Sequence, residues 1–383
     1  YYAGSWIDKV TYSTDTLSSL PGASSGWNPS DVPGPLKYLR GYGAASVAES
    51  NRLSPPLATP TGLFGPPFNT VYKGGGYQYP ASAPGEYTSS IHKFNMDMET
   101  YFPNVASLVQ GRRWLAGASN INSGYFAGGS QGDWGPNLTS IEKITYSNDT
   151  SNVVPGQIQT SNTGRGMAIG SGSAMYFIGG LSSSNINKMP YSTETCAWLA
   201  NMSMNRYEAM TWGNQTDGYM GGGHPYPALS TNQKVAYATD TLSTPSTYLI
   251  YWQKGASTNS TATNGYIIGG EDSSPSTGPG YFSSTAKWVF SNETTSLIPS
   301  GNLPYASNVG TTGGTPTYGW YFEGGQSPYQ QEARATHKMS YSTDTWQSKG
   351  IANESWWSQG RYYAAAVNSA QNGNNPGGGP VLI

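Results

Sequence analysis

IEKITYSNDT, residues 141–150, decides the fold, because the same block returns six more times along the chain. The other copies read IDKVTYSTDT (7–16), IHKFNMDMET (91–100), INKMPYSTET (186–195), NQKVAYATDT (232–241), TAKWVFSNET (285–294) and THKMSYSTDT (336–345). Each carries a Lys, a large apolar residue directly after it, an aromatic two positions further on (Met in one copy), and then Asp or Glu followed by Thr. The lysines are Lys9, Lys93, Lys143, Lys188, Lys234, Lys287 and Lys338, so five of the six intervals lie between 45 and 53 residues and the first is 84. In an extended chain Ile144 and Tyr146 point to one face, and the Ser, Asn and Asp after them suit a tight turn. The block is a strand running into a hairpin.

A second landmark precedes each block, a short aromatic or apolar run reaching glycine: YYAGS (1–5), VYKGG (71–75), YFAGG (125–129), YFIGG (176–180), GYMGG (218–222), YIIGG (266–270) and YFEGG (321–325). β-branched and aromatic residues suit a pleated surface, and the Gly doublet ends the strand where backbones approach or turn. A third strand follows each turn. A fourth is read in segments such as NRYEAMTW (205–212) and GRYYAAAV (360–367). Four strands in about 50 residues is the size of one propeller blade. The sequence therefore predicts an all-β fold, a seven-bladed β-propeller of four-stranded blades. It is closed by pairing the N-terminal strand Tyr1–Ser5 with the C-terminal segment Arg361–Val367, which leaves no open edge. Residues 1–383 are read as one such domain. A Pro/Gly-rich loop insertion within 17–70 accounts for the long first interval.

Composition agrees with this reading. Charged residues are 10% of the 383, against about a quarter in an ordinary soluble domain, and the 50 Gly and 26 Pro argue against long helices. A net charge of −2 offers no electrostatic footprint for nucleic acid or an anionic membrane. No apolar run approaches the roughly 18 residues of a spanning helix, and YYAGSWIDKV lacks a signal-peptide pattern. The lone Cys196 excludes an internal disulfide. A start on Tyr1 reads as a processed chain or a fragment.

The order Gly doublet, Tyr, Trp, then Arg before the next strand, seen in Tyr191, Trp198 and Arg206, resembles the kelch repeat. Arg40, Arg112, Arg165 and Arg361 are comparably placed, whereas the Trp is in register only once. More narrowly, IEKITYSNDTS with YFIGG is similar to kelch-like repeats in structural proteins of tailed phages, notably those infecting marine cyanobacteria. The resemblance implies a non-enzymatic virion protein displayed on a tail, neck or capsid appendage for host-surface binding or assembly. Its expected location is the particle surface. Its expected partners are other virion proteins and a host-surface receptor, a glycan among the candidates, with no nucleic acid and no membrane insertion. The alternative is an extracellular carbohydrate-active or carbohydrate-binding propeller.

Each repeat Lys is matched in its block by one acid: Asp15, Glu99, Asp149, Glu194, Asp240, Glu293 and Asp344. An axial anion site would use seven free lysines. Pairing with an acid of the same or the neighbouring blade, leaving no net field, is the simpler expectation. His92 and His337 share the slot before the Lys and are read as solvated or inter-blade positions. Glu271 and Asp272 are the best neighbouring acids for glycosidase chemistry, but adjacent residues of an extended chain point apart, and a loop turn is the default reading over an acid and nucleophile flanking one bond. No catalytic, metal or cofactor-binding residue is predicted, and no cofactor. What departs from repetition is aromatic. Trp27, Tyr38, Trp114, Tyr251, Trp252, Trp356 and Trp357 lie between a repeat turn and the next Gly strand, where sugar faces or a protein partner would be met.

Overall fold

The computed structural model describes residues 8–11, 16–19, 69–78, 86–132, 136–160, 163–225, 229–272, 280–322, 325–326, 331–332, 336–349, 361–362 and 364–368. The chain falls into two compact units, Tyr1–Thr59 and Pro60–Ile383. In the first, Asp8–Thr11 and Thr16–Ser19 pair antiparallel with Val10 opposite Leu17, while the turn residues 12–15 of the block lie outside the described residues. Most of the 17–70 insertion, including its proline-rich stretches, lies outside the described residues.

In the second unit the six remaining copies each build one four-stranded antiparallel sheet, and no helix occurs among the described residues. The second sheet shows the plan. Its strands Ala116–Ser119, Ser123–Ala127, Ser140–Thr145 and Thr150–Gln157 follow in sequence order, with the repeat block supplying the third strand, the turn and the start of the fourth. Ile141, Glu142 and Ile144 are buried while Lys143 and Thr145 are half-buried, and this rhythm recurs in the third strand of every sheet.

The innermost strands are Ala365–Asn368, Ala116–Ser119, Met167–Gly170, Met210–Gly213, Ser257–Ser260 and Thr311–Gly314. Each lies against the next in that order, and Thr311–Gly314 lies against Ala365–Asn368. The crowding fits the small residues of AGAS, STNS and TTGG, whereas MAIG and MTWG send Met167, Ile169, Met210 and Trp212 into the core between sheets. It also leaves backbone carbonyls with no strand to pair with, and hydroxyls take that place. Thr211 Oγ1 donates to the Ala168 carbonyl at 2.8 Å, Thr258 Oγ1 to that of Thr211 at 2.6 Å, and Thr312 Oγ1 to that of Thr258. Between sheets the core is aromatic, as where Trp212 and Trp288 meet edge to face with centroids 5.4 Å apart.

Two expectations need correction. The C-terminal strand Ala365–Asn368 pairs with Thr70–Gly74, with Tyr72 opposite Val367, where the sequence reading placed Tyr1–Ser5, residues that lie outside the described ones. The strands of copy two are thus completed by the last strand of the chain. Among the described residues there are six four-stranded sheets, and copy one is a two-stranded hairpin in the other unit. Further, the segments read as fourth strands are each interrupted. Arg361–Tyr362 pairs separately with Tyr77–Gln78, and Tyr207 forms an isolated bridge to His224 before the strand proper starts at Met210.

The Gly doublet is explained at Gly179, whose φ of +67° lies in the left-handed region and whose missing side chain would collide with the Arg206 carbonyl of the following sheet. The next amide, of Gly180, donates to that carbonyl at 3.0 Å. Gly179→Ala is expected to destabilise the second unit by about 2–5 kcal/mol, adding a left-handed penalty of 1–2 to the overpacking cost. Urea unfolding checks it, and a shift below about 1 kcal/mol would refute this reading of the doublet.

Candidate functional site

The six repeat lysines of the second unit all point to the next copy. Lys93 reaches Asp149 at 3.0 Å, Lys143 Glu194 at 2.6 Å, Lys188 Asp240 at 2.7 Å, Lys234 Glu293 at 2.6 Å, Lys287 Asp344 at 2.8 Å, and Lys338 returns to Glu99 at 3.0 Å. In five of the six, a Tyr from the second strand donates to the same carboxylate: Tyr72, Tyr125, Tyr176, Tyr219 and Tyr266. Burial, and then the neighbouring carboxylate, push these phenols far above their ordinary pKa, so they remain donors. In the sixth, Trp320 stands opposite Lys338 in the Tyr place, and Lys349 supplies a second cation 3.1 Å from Glu99. Burial of Glu99 opposes ionisation, but the bonds from Lys338 and Lys349 outweigh it and hold the carboxyl below its usual value. Lys9 lies in the hairpin of the first unit.

These acids sit in the left-handed region, which Asp visits occasionally and which is disfavoured for Glu99, Glu194 and Glu293. Glu99, Asp149, Glu194, Asp240, Glu293 and Asp344 have φ between +50° and +57°, where Gly or Asn would be easier. A carboxylate kept at such a position six times is held by its side-chain contacts, and those contacts join neighbouring sheets. Asp240→Ala is therefore expected to cost about 2 kcal/mol, combining a half-exposed ion pair with backbone strain. Asp240→Asn, which tolerates the conformation and can still accept from Tyr176, is expected to cost about 1 kcal/mol or less. Equal losses in urea unfolding would contradict this.

The slot before the Lys is buried, which corrects the solvated alternative for its histidines. His92 and His337 are 2% and 1% exposed. Where the slot holds another polar residue it accepts an amide from the segment arriving from the previous sheet. Glu142 accepts from Val109, Asn187 from Gln159 and Gln233 from Ser203. His337 instead meets the Tyr305 hydroxyl at 3.0 Å, and burial pushes its pKa down to about 4 from 6.5. Because the folded value lies below the unfolded one, its contribution to stability is full above about pH 6.5 and lost as pH falls toward 4, about tenfold in the folding equilibrium per unit. His337→Gln is expected to flatten acid unfolding over that window; an unchanged profile would oppose this role.

The chemistry that differs from sheet to sheet sits where each inner strand begins. Trp114, Arg165, Glu208, Gly255 and Val309 each lie two residues before an inner strand, and all have positive φ. Their backbones form a relay: Arg165 N–H donates to Trp114 C=O at 3.2 Å, Glu208 to Arg165 at 3.1 Å, Gly255 to Glu208 at 3.0 Å, and Val309 to Gly255 at 2.8 Å. The same backbone position thus presents an indole, a guanidinium, a carboxylate, nothing and an isopropyl group. Arg165 Nη1 bonds Glu208 at 2.8 Å, and its guanidinium lies 4.2 Å from the Trp114 ring centroid, with Arg113 at 3.7 Å. His224 Nε2 lies 3.5 Å from Glu208, and Lys254 stands 3.9 Å from Glu208 and 3.3 Å from Glu271. Burial pushes the Glu208 carboxyl up, yet the His224 bond and the charges of Arg165 and Lys254 outweigh it and hold it below its usual value.

Of the aromatics expected to recognise a partner, Trp27, Tyr38, Trp356 and Trp357 lie outside the described residues. Trp114 is buried at 2% exposure rather than displayed, and stacks with arginines at this mouth. Tyr251 is half-buried against Phe282, centroids 4.3 Å apart, and Trp252 is 43% exposed. Among the arginines placed by the kelch resemblance, Arg112 and Arg206 are buried and both donate to carbonyls after the next Gly strand, Gly128 at 3.2 Å and Gly222 at 2.8 Å. Thr163 holds that register in the third sheet, so Arg165 is displaced by two residues into the mouth. Trp198 is 57% exposed on an outer strand rather than in the core. Cys196 is half-buried, and burial pushes its thiol up to about 11. Sequence reasoning missed Arg165, Glu208, His224 and Lys254 as a group, because no residue type repeats there. Glu271 pairs with Lys254, and Asp272 stands opposite Gln253 in a short strand. No protein-family model matches the chain, and no curated protein matches it.

Proposed function

We propose that the chain is a non-enzymatic recognition or assembly module of a tailed-phage particle, built as a closed six-bladed β-propeller with its working surface at the mouth formed where the inner strands begin. Closure is supported by the cyclic order of inner-strand contacts and by the return of Lys338 to Glu99. The phage assignment rests on the likeness of the repeat. The observation that carries recognition is the division of labour among charged side chains: the repeated Lys–acid pairs are consumed in joining sheets, whereas Arg165, Glu208, His224, Lys254 and Glu271 are unrepeated and gathered at one end. A unique partner requires a unique surface, and a rigid scaffold holds it in place. Mass spectrometry of purified particles, with attachment of the purified chain to host cells, tests the proposal. Stoichiometric presence and saturable attachment are expected; absence from particles would refute the virion assignment.

A further inference from the structure

Building on that recognition reading, we propose that the mouth binds a carboxylated sugar. The argument starts from the balance of donors and acceptors. Arg165 gives Nη1 to Glu208, while its Nε is buried without a hydrogen-bond partner among the described residues, and the exposed part of the guanidinium is left to meet a ligand. The Lys254 ammonium sits 3.3 Å from Glu271 and 3.9 Å from Glu208, so two of its three N–H donors have carboxylates to face and the third is left for another acceptor. His224 adds a ring nitrogen beside Glu208, and its Nδ1 is buried without a partner. These donors come from three successive copies and converge on one carboxylate.

The side chains are confined but not sealed. Arg165 retains 27% of its surface, Lys254 17% and Glu271 21%, which leaves them reachable at the mouth. A ligand carboxylate would find a guanidinium and an ammonium there, the strong charge-assisted donors. Glu271 then selects among acids. A sugar carboxylate is flanked by hydroxyls that can donate to Glu271, whereas a run of acidic peptide side chains brings only further negative charge against Glu208 and Glu271. The Tyr207 ring, stacked on His224 with centroids 4.6 Å apart and with the Arg165 guanidinium 5.9 Å from its centroid, holds the imidazole and the guanidinium in place beside Glu208.

The test is an array of uronates and sialosides, their methyl esters, neutral glycans and an oligoaspartate, probed with the purified chain and its Arg165→Gln and Lys254→Met variants. Each variant is also melted to confirm folding. The expected result is retention of at least one carboxylated sugar, weakened at least tenfold by esterification and by each substitution. Retention of neutral glycans or oligoaspartate alone, retention of nothing, or carboxylate binding unchanged in both folded variants would overturn the proposal. Cell attachment measured in parallel separates the two readings: attachment that persists in both variants sinks the sugar site alone, while a parental chain that does not attach sinks host recognition itself.

Discussion

Replacing Arg112 with Met is expected to destabilise the second unit by about 3–5 kcal/mol, the loss typical when one partner of a buried ion pair is removed. Arg112 and Glu142 keep only 2% and 1% of their side-chain surface. The guanidinium bonds Glu142 and also donates to the Gly128 carbonyl at 3.2 Å and to Ser140 Oγ at 3.0 Å, linking the end of one strand to the start of the next. Glu142 in turn accepts the Val109 amide at 2.7 Å, on the segment arriving from the first sheet. Without the arginine, a carboxylate already raised in pKa by burial is left with a single amide. The double variant Arg112→Met, Glu142→Leu should lose less than the sum of the two single variants, because it leaves no orphaned charge. Strictly additive losses in a urea-unfolding cycle would contradict the coupling. Lys143→Met, by contrast, removes a pair that retains 30% and 21% of its surface, and about 1 kcal/mol is expected there, with no effect on attachment.

The period of the block was enough to place every repeat strand, because Ile144 and Tyr146 declare a buried face and the Asp-Thr after them a turn. The partners of the repeated charges were legible as a class but not in direction. Nothing in Lys143 or Glu194 alone says that the bond crosses to the next sheet rather than back to Asp149. Closure was misread because YYAGS resembles a Gly strand as well as VYKGG does, and local sequence does not decide which of two similar strands meets Ala365–Asn368. Trp114 was misjudged because an aromatic outside the repeat pattern looks displayed, whereas two arginines flank it and bury it. The mouth was illegible for the opposite reason to the block. Trp114, Arg165, Glu208, Gly255 and Val309 share a backbone conformation and a hydrogen-bond relay but no chemistry, His224, Lys254 and Glu271 join them without either, and repetition is the signal that this single sequence offers.

The proposed closure is what holds the propeller reading together, because the cycle of inner-strand contacts passes through Ala365–Asn368, which also completes the sheet of copy two. Edge strands left unpaired are a liability, and removing the closing strand would expose Thr70–Gly74 along its length. The most direct measurement is thermal unfolding of two truncations beside the parent, one comprising residues 60–383 and one ending at residue 360. The account predicts that 60–383 keeps the parental melting transition and that the chain ending at 360 loses cooperative melting. The reverse pattern, collapse without residues 1–59 and survival without 361–383, would contradict it.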